Sequence, residues 1–137
     1  DLVFYYVYSN IRIQKAQHGK VQIYYILNLD FNNARNNARY RDTLIRMGLA
    51  EKIRYILNED ITPEMEKMYG EELFFTSAEL EKVGFKIDAK IPVIPKPIFL
   101  NRLYQGIPIV LDNHKESLSA RREILKIANQ IYPLKGF

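Results

Sequence analysis

The chain has 137 residues, a net charge of +4 and a hydrophobic share of 47%, the size and apolar content of one domain with its own core and not of a disordered segment. It contains no cysteine, which excludes a disulfide framework, thiol catalysis and thiolate-held metal. His18 and His114 stand far apart without metal-ligand spacing. No apolar run approaches the roughly 20 residues needed to span a bilayer, and no basic segment followed by an apolar run marks a secretory signal.

Residues 2–8 form a nearly continuous apolar and aromatic run, the pattern of a strand covered on both faces in a parallel sheet. A chain that opens in such a strand without an initiator Met reads as a fragment or a processed product. Ser9 or Asn10 can cap a short helix that ends before Gly19, a residue placed for a left-handed stop. Residues 21–27 read as a second buried strand, so the two strands and the helix between them form a βαβ unit with parallel neighbours. After Asn28, the polar stretch 30–33 leads into a helix over 34–47, ended by Gly48. Its apolar stripe of Tyr40, Leu44 and Met47 leaves several arginines facing outward. Residues 49–57 stay open between helix and strand, because Ile53, Ile56 and Leu57 satisfy both spacings.

Thr62 followed by Pro63 predicts a short acidic helix over 62–69. Thr76 and Glu79 have the capping-box spacing and open a further short helix closed by Gly84. Residues 85–91 are expected as another parallel strand, stopped by Pro92, Pro95 and Pro97, with a helix over 97–104 beyond. Ser117 or Ser119 caps a last helix running to residue 132, with Leu118, Ile124, Leu125, Ala128 and Ile131 on one face. The expectation is a single α/β unit over 1–137 with a mainly parallel sheet. Residues 57–84 read within it as an acidic helical insertion or an elaborated crossover.

Charge is unevenly placed. A basic zone from 32 to 55 holds Arg35, Arg39, Arg41, Arg46, Lys52 and Arg54, an acidic zone fills 57–91, and a second basic zone runs from 101 to the end. The arginines of the first zone are most simply a solvated helix face; a surface for nucleic-acid phosphates is the functional alternative. Tyr5, Tyr6, Tyr8, Tyr24 and Tyr25 lie in apolar strands, which favours core packing over base stacking. Asp30 lacks the acidic pair and downstream lysine of a receiver-type phospho-acceptor.

Several short segments carry a resemblance through their order. After the opening Asp1-Leu2-Val3-Phe4 come Ile26-Leu27-Asn28, Lys90-Ile91-Pro92, Gly106-Ile107-Pro108-Ile109 and Ser117-Leu118-Ser119-Ala120-Arg121. In this order and approximate spacing the chain resembles the C-terminal half of ParA/MinD-like P-loop partition ATPases with a deviant Walker A loop. The resemblance implies the C-terminal part of a P-loop NTPase fold, a partial three-layer α/β/α sandwich within a larger ATPase domain. It implies nucleotide binding by Asn28, whose amide would meet the adenine edge, and by Pro92, Val93 and Ile94, which would wall the base. DNA binding would fall to Arg35, Arg39, Arg41, Arg46, Arg102, Arg121, Arg122 and Lys126.

For the intact protein the same resemblance implies ATP and Mg2+ as cofactors, a homodimer in the ATP state and nonspecific DNA binding. It also implies a ParB-like centromere-binding partner, a role in plasmid or chromosome partition, a cytoplasmic, nucleoid-associated location and no membrane. It assigns no catalytic residue and no metal ligand here. No Gly/Lys-rich phosphate loop occurs between Asp1 and Phe137, so this chain alone is expected not to hydrolyse ATP. Two departures from the family pattern are the length of 57–84 and Leu29-Asp30, where a basic residue often follows the Asn. The competing reading is a non-enzymatic α/β DNA-binding or protein-interaction module.

Overall fold

The computed structural model describes residues 22–62, 65, 67 and 76–133. The expected strand over 2–8, the helix after it and most of the acidic helix over 62–69 lie outside the described residues. Within them the chain is α/β. Three parallel strands, β1 (Ile23–Leu27), β2 (Ile53–Asp60) and β3 (Ile87–Pro92), are hydrogen-bonded in the order β1-β2-β3. The helices are α1 (Phe31–Arg46), α2 (Ser77–Lys82), α3 (Lys96–Tyr104) and α4 (Leu118–Ile131), and 3₁₀ turns occupy Ala50–Lys52, Ile109–Leu111 and Lys115–Ser117.

The segment that periodicity left open is the central strand. Ile53, Tyr55, Ile56 and Leu57 of β2 are all buried, so its two faces are both covered and its apolar residues run on without alternating. Alternation still sorts them. Ile23, Tyr25 and Leu27 of β1 and Ile53, Tyr55 and Leu57 of β2 join Ala34, Ala38 and Leu44 of α1, Leu80 of α2 and Phe85 in one cluster. Burying a side chain such as Leu57 contributes about 2 kcal/mol. The rings of Tyr25 and Tyr55 lie 5.9 Å apart and those of Tyr55 and Phe85 5.4 Å apart, the latter edge to face. Burial pushes both tyrosine hydroxyls above their ordinary pKa, and the Tyr25 hydroxyl donates to Asn37 Oδ1 at 2.9 Å. Ile56 and Ala120 are buried outside this cluster, and α4 packs along β3.

Helix α1 starts one turn before the expected position because Asp30 caps it. Asp30 Oδ2 accepts from Asn33 Nδ2 at 3.0 Å, Oδ1 from the Asn33 N–H at 3.4 Å, and the Asp30 carbonyl from the Ala34 N–H at 2.8 Å. Gly48, at φ +75°, ends it in the left-handed conformation expected of a helix stop.

Two irregularities in the β2–β3 ladder cancel. Tyr55 faces Ile87 but Ile56 faces Ala89, so Asp88 is an extra residue in β3. Its Oδ2 accepts the Tyr55 N–H at 2.8 Å, replacing the ladder acceptor that the bulge removes. The shift also sends Lys90 to α2, where Nζ donates to Ser77 Oγ at 3.0 Å and pairs with Glu81 at 3.2 Å. Between Leu57 and Asp60 the extra residue is on β2 instead, and there Glu59 takes a left-handed φ of 58°. Asp60 consequently faces Pro92 in the original register.

Candidate ligand edge and basic surfaces

Because the strands run parallel, their carboxyl ends share one edge of the sheet, where open α/β sheets bind ligands. Asn28 follows β1 and is exposed; its carbonyl accepts the Asp30 N–H at 2.9 Å in a tight turn that leads directly into α1. Pro92 ends β3, and Pro92, Val93 and Ile94 are half-buried. The Val93 N–H donates to the Asp60 carbonyl at 3.0 Å, which fixes this loop to the end of β2. One strand separates Asn28 from Pro92, a span of about 10 Å from the usual strand spacing.

The end of β2 therefore lies between the two elements marked in the sequence. Asp60 is only 7% exposed, and Glu59 beside it carries the one left-handed non-glycine backbone among the described residues. Sequence reasoning missed both because it left 49–57 unassigned. Reading 53–57 as a strand would have placed Asn58, Glu59 and Asp60 at a carboxyl end.

The eight basic residues divide by role. Arg35, Arg39 and Arg46 are exposed and, at 100° per residue, lie on one stripe of α1 about 16 Å long. Arg41 is on the opposite, inward side. Its Nη1 donates to the Val83 carbonyl at 2.6 Å, its Nε and Nη2 to Asp42 Oδ1 at 3.0 and 2.9 Å, and its guanidinium lies 4.7 Å from the Phe85 ring centre. Its spacing of seven after Ala34 and three before Leu44 was the sequence signal for that placement.

Arg102 and Arg121 are likewise engaged. Arg102 Nε pairs at 3.2 Å with Asp112, which is 3% exposed. Arg121 donates to the Asp112 carbonyl at 3.3 Å and to Asn113 Oδ1. The Ser117 hydroxyl, then the His114 N–H and Arg102, hold the Asp112 carboxyl below its ordinary pKa against the opposing effect of burial. On α4, Arg122 is exposed and Lys126 pairs with Glu123 at 2.6 Å. A cleft of about 420 Å³ between β3 and the start of α4 is lined by Asp88, Lys90, Pro92, Ser119, Arg122 and Glu123, among others.

No group of three or more His, Asp and Glu suited to a metal occurs among the described residues, and no helix among them is long and apolar enough to cross a membrane. No family model, curated protein or solved structure matches the chain.

Proposed function

We propose that the chain is the base-binding and DNA-facing part of a ParA-like partition ATPase, the C-terminal portion of a P-loop NTPase fold. The observation that carries the reading is the carboxyl edge, where the exposed Asn28 amide and the half-buried Pro92–Ile94 loop lie on either side of the β2 terminus. Asn28 offers both a donor and an acceptor to a purine edge, and the loop offers apolar surface to its face. ATP and Mg2+ belong in this reading to the intact protein; the residues present fit the base and not the phosphates. The intact protein would dimerise with ATP bound and respond to a ParB-like partner.

The test is an NMR titration of the chain with adenosine and, separately, guanosine. Adenosine should shift the amides of Asn28, Val93 and Ile94, and Asn28→Ala should abolish the shifts. Equal response to guanosine, or shifts elsewhere only, would sink the reading.

The α1 stripe favours the second reading, a non-enzymatic DNA-binding module, and is shared with the first. Arg35, Arg39 and Arg46 on one exposed face suit a phosphate backbone, whose binding weakens steeply with salt through counterion release. Arg35→Ala with Arg39→Ala should weaken binding to duplexes of unrelated sequence alike. DNA affinity that ignores salt would remove the stripe from both readings.

A further inference from the structure

Strand β3 is the outer strand of the sheet among the described residues, since the order β1-β2-β3 leaves its far side unpaired. None of its six residues is buried, whereas five of the eight in β2 are. A strand points its N–H and C=O groups to its two sides by turns, so part of the β3 backbone faces away from β2. Apart from the ladder to β2, no backbone bond joins 87–92 to a described residue. The cleft between β3 and the start of α4 follows this open side. Ile87 packs against the core cluster on one face of the sheet, and Lys90 reaches Ser77 of α2 on that same face. Ala89 stands opposite Ile56, which belongs to the other face. All three line the cleft, together with Asp88 and Pro92. A cleft touched by residues from both faces of one strand runs along that strand's edge. Ser119, Arg122 and Glu123, in the first turns of α4, form its second wall.

We propose that the groove between β3 and α4 receives an extended peptide segment of a partner protein, added to the sheet edge as a further strand and carrying an acidic side chain that meets Arg122. Main-chain bonds to an open edge give such a segment its hold, and the second wall reads its side chains. The charges around the cleft decide which side chain. Glu123 is paired with Lys126 at 2.6 Å, and Asp88 Oδ2 accepts the Tyr55 N–H at 2.8 Å. Lys90 holds Ser77 and Glu81, which leaves the third proton of its ammonium. Arg122 is exposed and has no hydrogen bond or ion pair with a described residue. Its five N–H donors are thus the largest unused binding capacity on the cleft, and a carboxylate takes them two at a time. Asp88 is exposed and has no cation partner among the described residues, so a basic side chain at another position of the same segment is favoured. Asp88 and Glu123 together oppose a polyanion such as nucleic acid in this cleft. The bulge at Asp88 and the lack of an N–H on Pro92 keep the edge short, which restricts it to a few residues of peptide.

The experiment screens the 137-residue chain against a displayed library of random peptides of about eight residues, too short to hold a helix. The expected binders share Asp or Glu at one position. Arg122→Ala should weaken a chosen binder by about tenfold. Arg122→Glu should turn the preference at that position to Lys or Arg, a result that mere loss of folding cannot produce. Methylating the peptide amides one at a time reads strand addition. Methylation at every second position should abolish binding and at the intervening positions should leave it nearly intact, because only alternate amides face β3. Amide exchange should show the outward N–H groups of β3 open in the chain alone and slowed by the peptide. The proposal is overturned by an absence of binders, by binders without an acidic position, or by binders indifferent to Arg122. It is equally overturned by binders that need a free C-terminal carboxylate in place of the side chain, or by methylation effects that do not alternate. Protection of the outward β3 amides in the chain alone would also overturn it, with sedimentation separating cover by residues 1–21 from cover by a second copy. None of these results depends on purine binding at the carboxyl edge, which is read at Asn28, Val93 and Ile94.

Discussion

Helices α1 and α3 both carry apolar residues at helical spacing, yet they face opposite ways. In α1 the apolar side, Ala34, Ala38 and Leu44, joins the core under the sheet and the arginine stripe faces water. In α3 the apolar side faces water and an arginine is held inward by Asp112. A spacing pattern defines that a helix has two unlike sides, but it does not say which side the rest of the molecule receives. An apolar sheet face receives α1; a buried carboxylate receives α3.

The largest expected effect tests that contrast directly. Leu44→Ala should cost about 3 kcal/mol, since the side chain is 4% exposed and leaves a cavity. Leu103→Ala should stay within about 0.5 kcal/mol because its side chain meets mostly water. Urea denaturation of the two variants measures both, and equal costs would mean that the assignment of the two faces is wrong.

Next in size is Gly84→Ala, which sharpens the role of Arg41 as the inward arginine of α1. Gly84 has φ +92°, and a Cβ there would sit 3.0 Å from Arg41 Nη1. The left-handed strain alone costs about 1–2 kcal/mol. Thermal unfolding should show the loss, and an unchanged midpoint would contradict the turn geometry. Asp30→Ala removes the α1 cap and should cost about 1 kcal/mol. Its helical signal should fray first at the N-terminal turn, as read by amide exchange of the residues just after the cap.

The last prediction concerns the α3 anchor, the Arg102–Asp112 pair, whose dependence on the Asp112 charge is read from its acid titration. The Asp112 carboxyl titrates in the folded chain below its ordinary value of 3.8. The unfolded state therefore binds more protons in this range, and stability falls as pH falls. The contribution is complete above 3.8 and is lost as pH drops through the lower folded value. Asp112→Asn should flatten the acid limb of a stability profile below pH 3.8 and leave its slope above that value unaltered. An unchanged acid limb would show that the carboxylate does not stabilise the α3 anchor.

Local chemistry made much of the fold legible. The apolar run ending at Leu27, the Gly48 stop, the Thr76 to Gly84 helix and the proline-terminated β3 all appear near their expected places, because turn residues and capping act within a few positions of themselves. The boundaries moved by about a turn where several neighbouring polar residues could each act as the cap. Asp30 started α1 early, and the α4 N-cap residue Ser117 is buried and makes no side-chain bond to its own helix. Of the candidate residues, Asn28 and Pro92 were readable as strand ends. The inward placement of Arg41, Arg102 and Arg121 was not read, since a basic residue in a basic zone looks solvated until a particular carbonyl or carboxylate is brought to it.

The sequence by itself determined the α/β class, the parallel character of the strands and the positions of most helix stops, because these follow from apolar continuity and from residues that restrict their own backbone. Only the tertiary structure decided that Ile53–Asp60 is the central strand. It alone placed paired bulges to aim Asp88 and Lys90 and to set Glu59 at the carboxyl edge, and it alone turned α3 outward. Those outcomes depend on which distant groups meet, and free energies of contact between residues far apart in the chain leave no local periodicity to read.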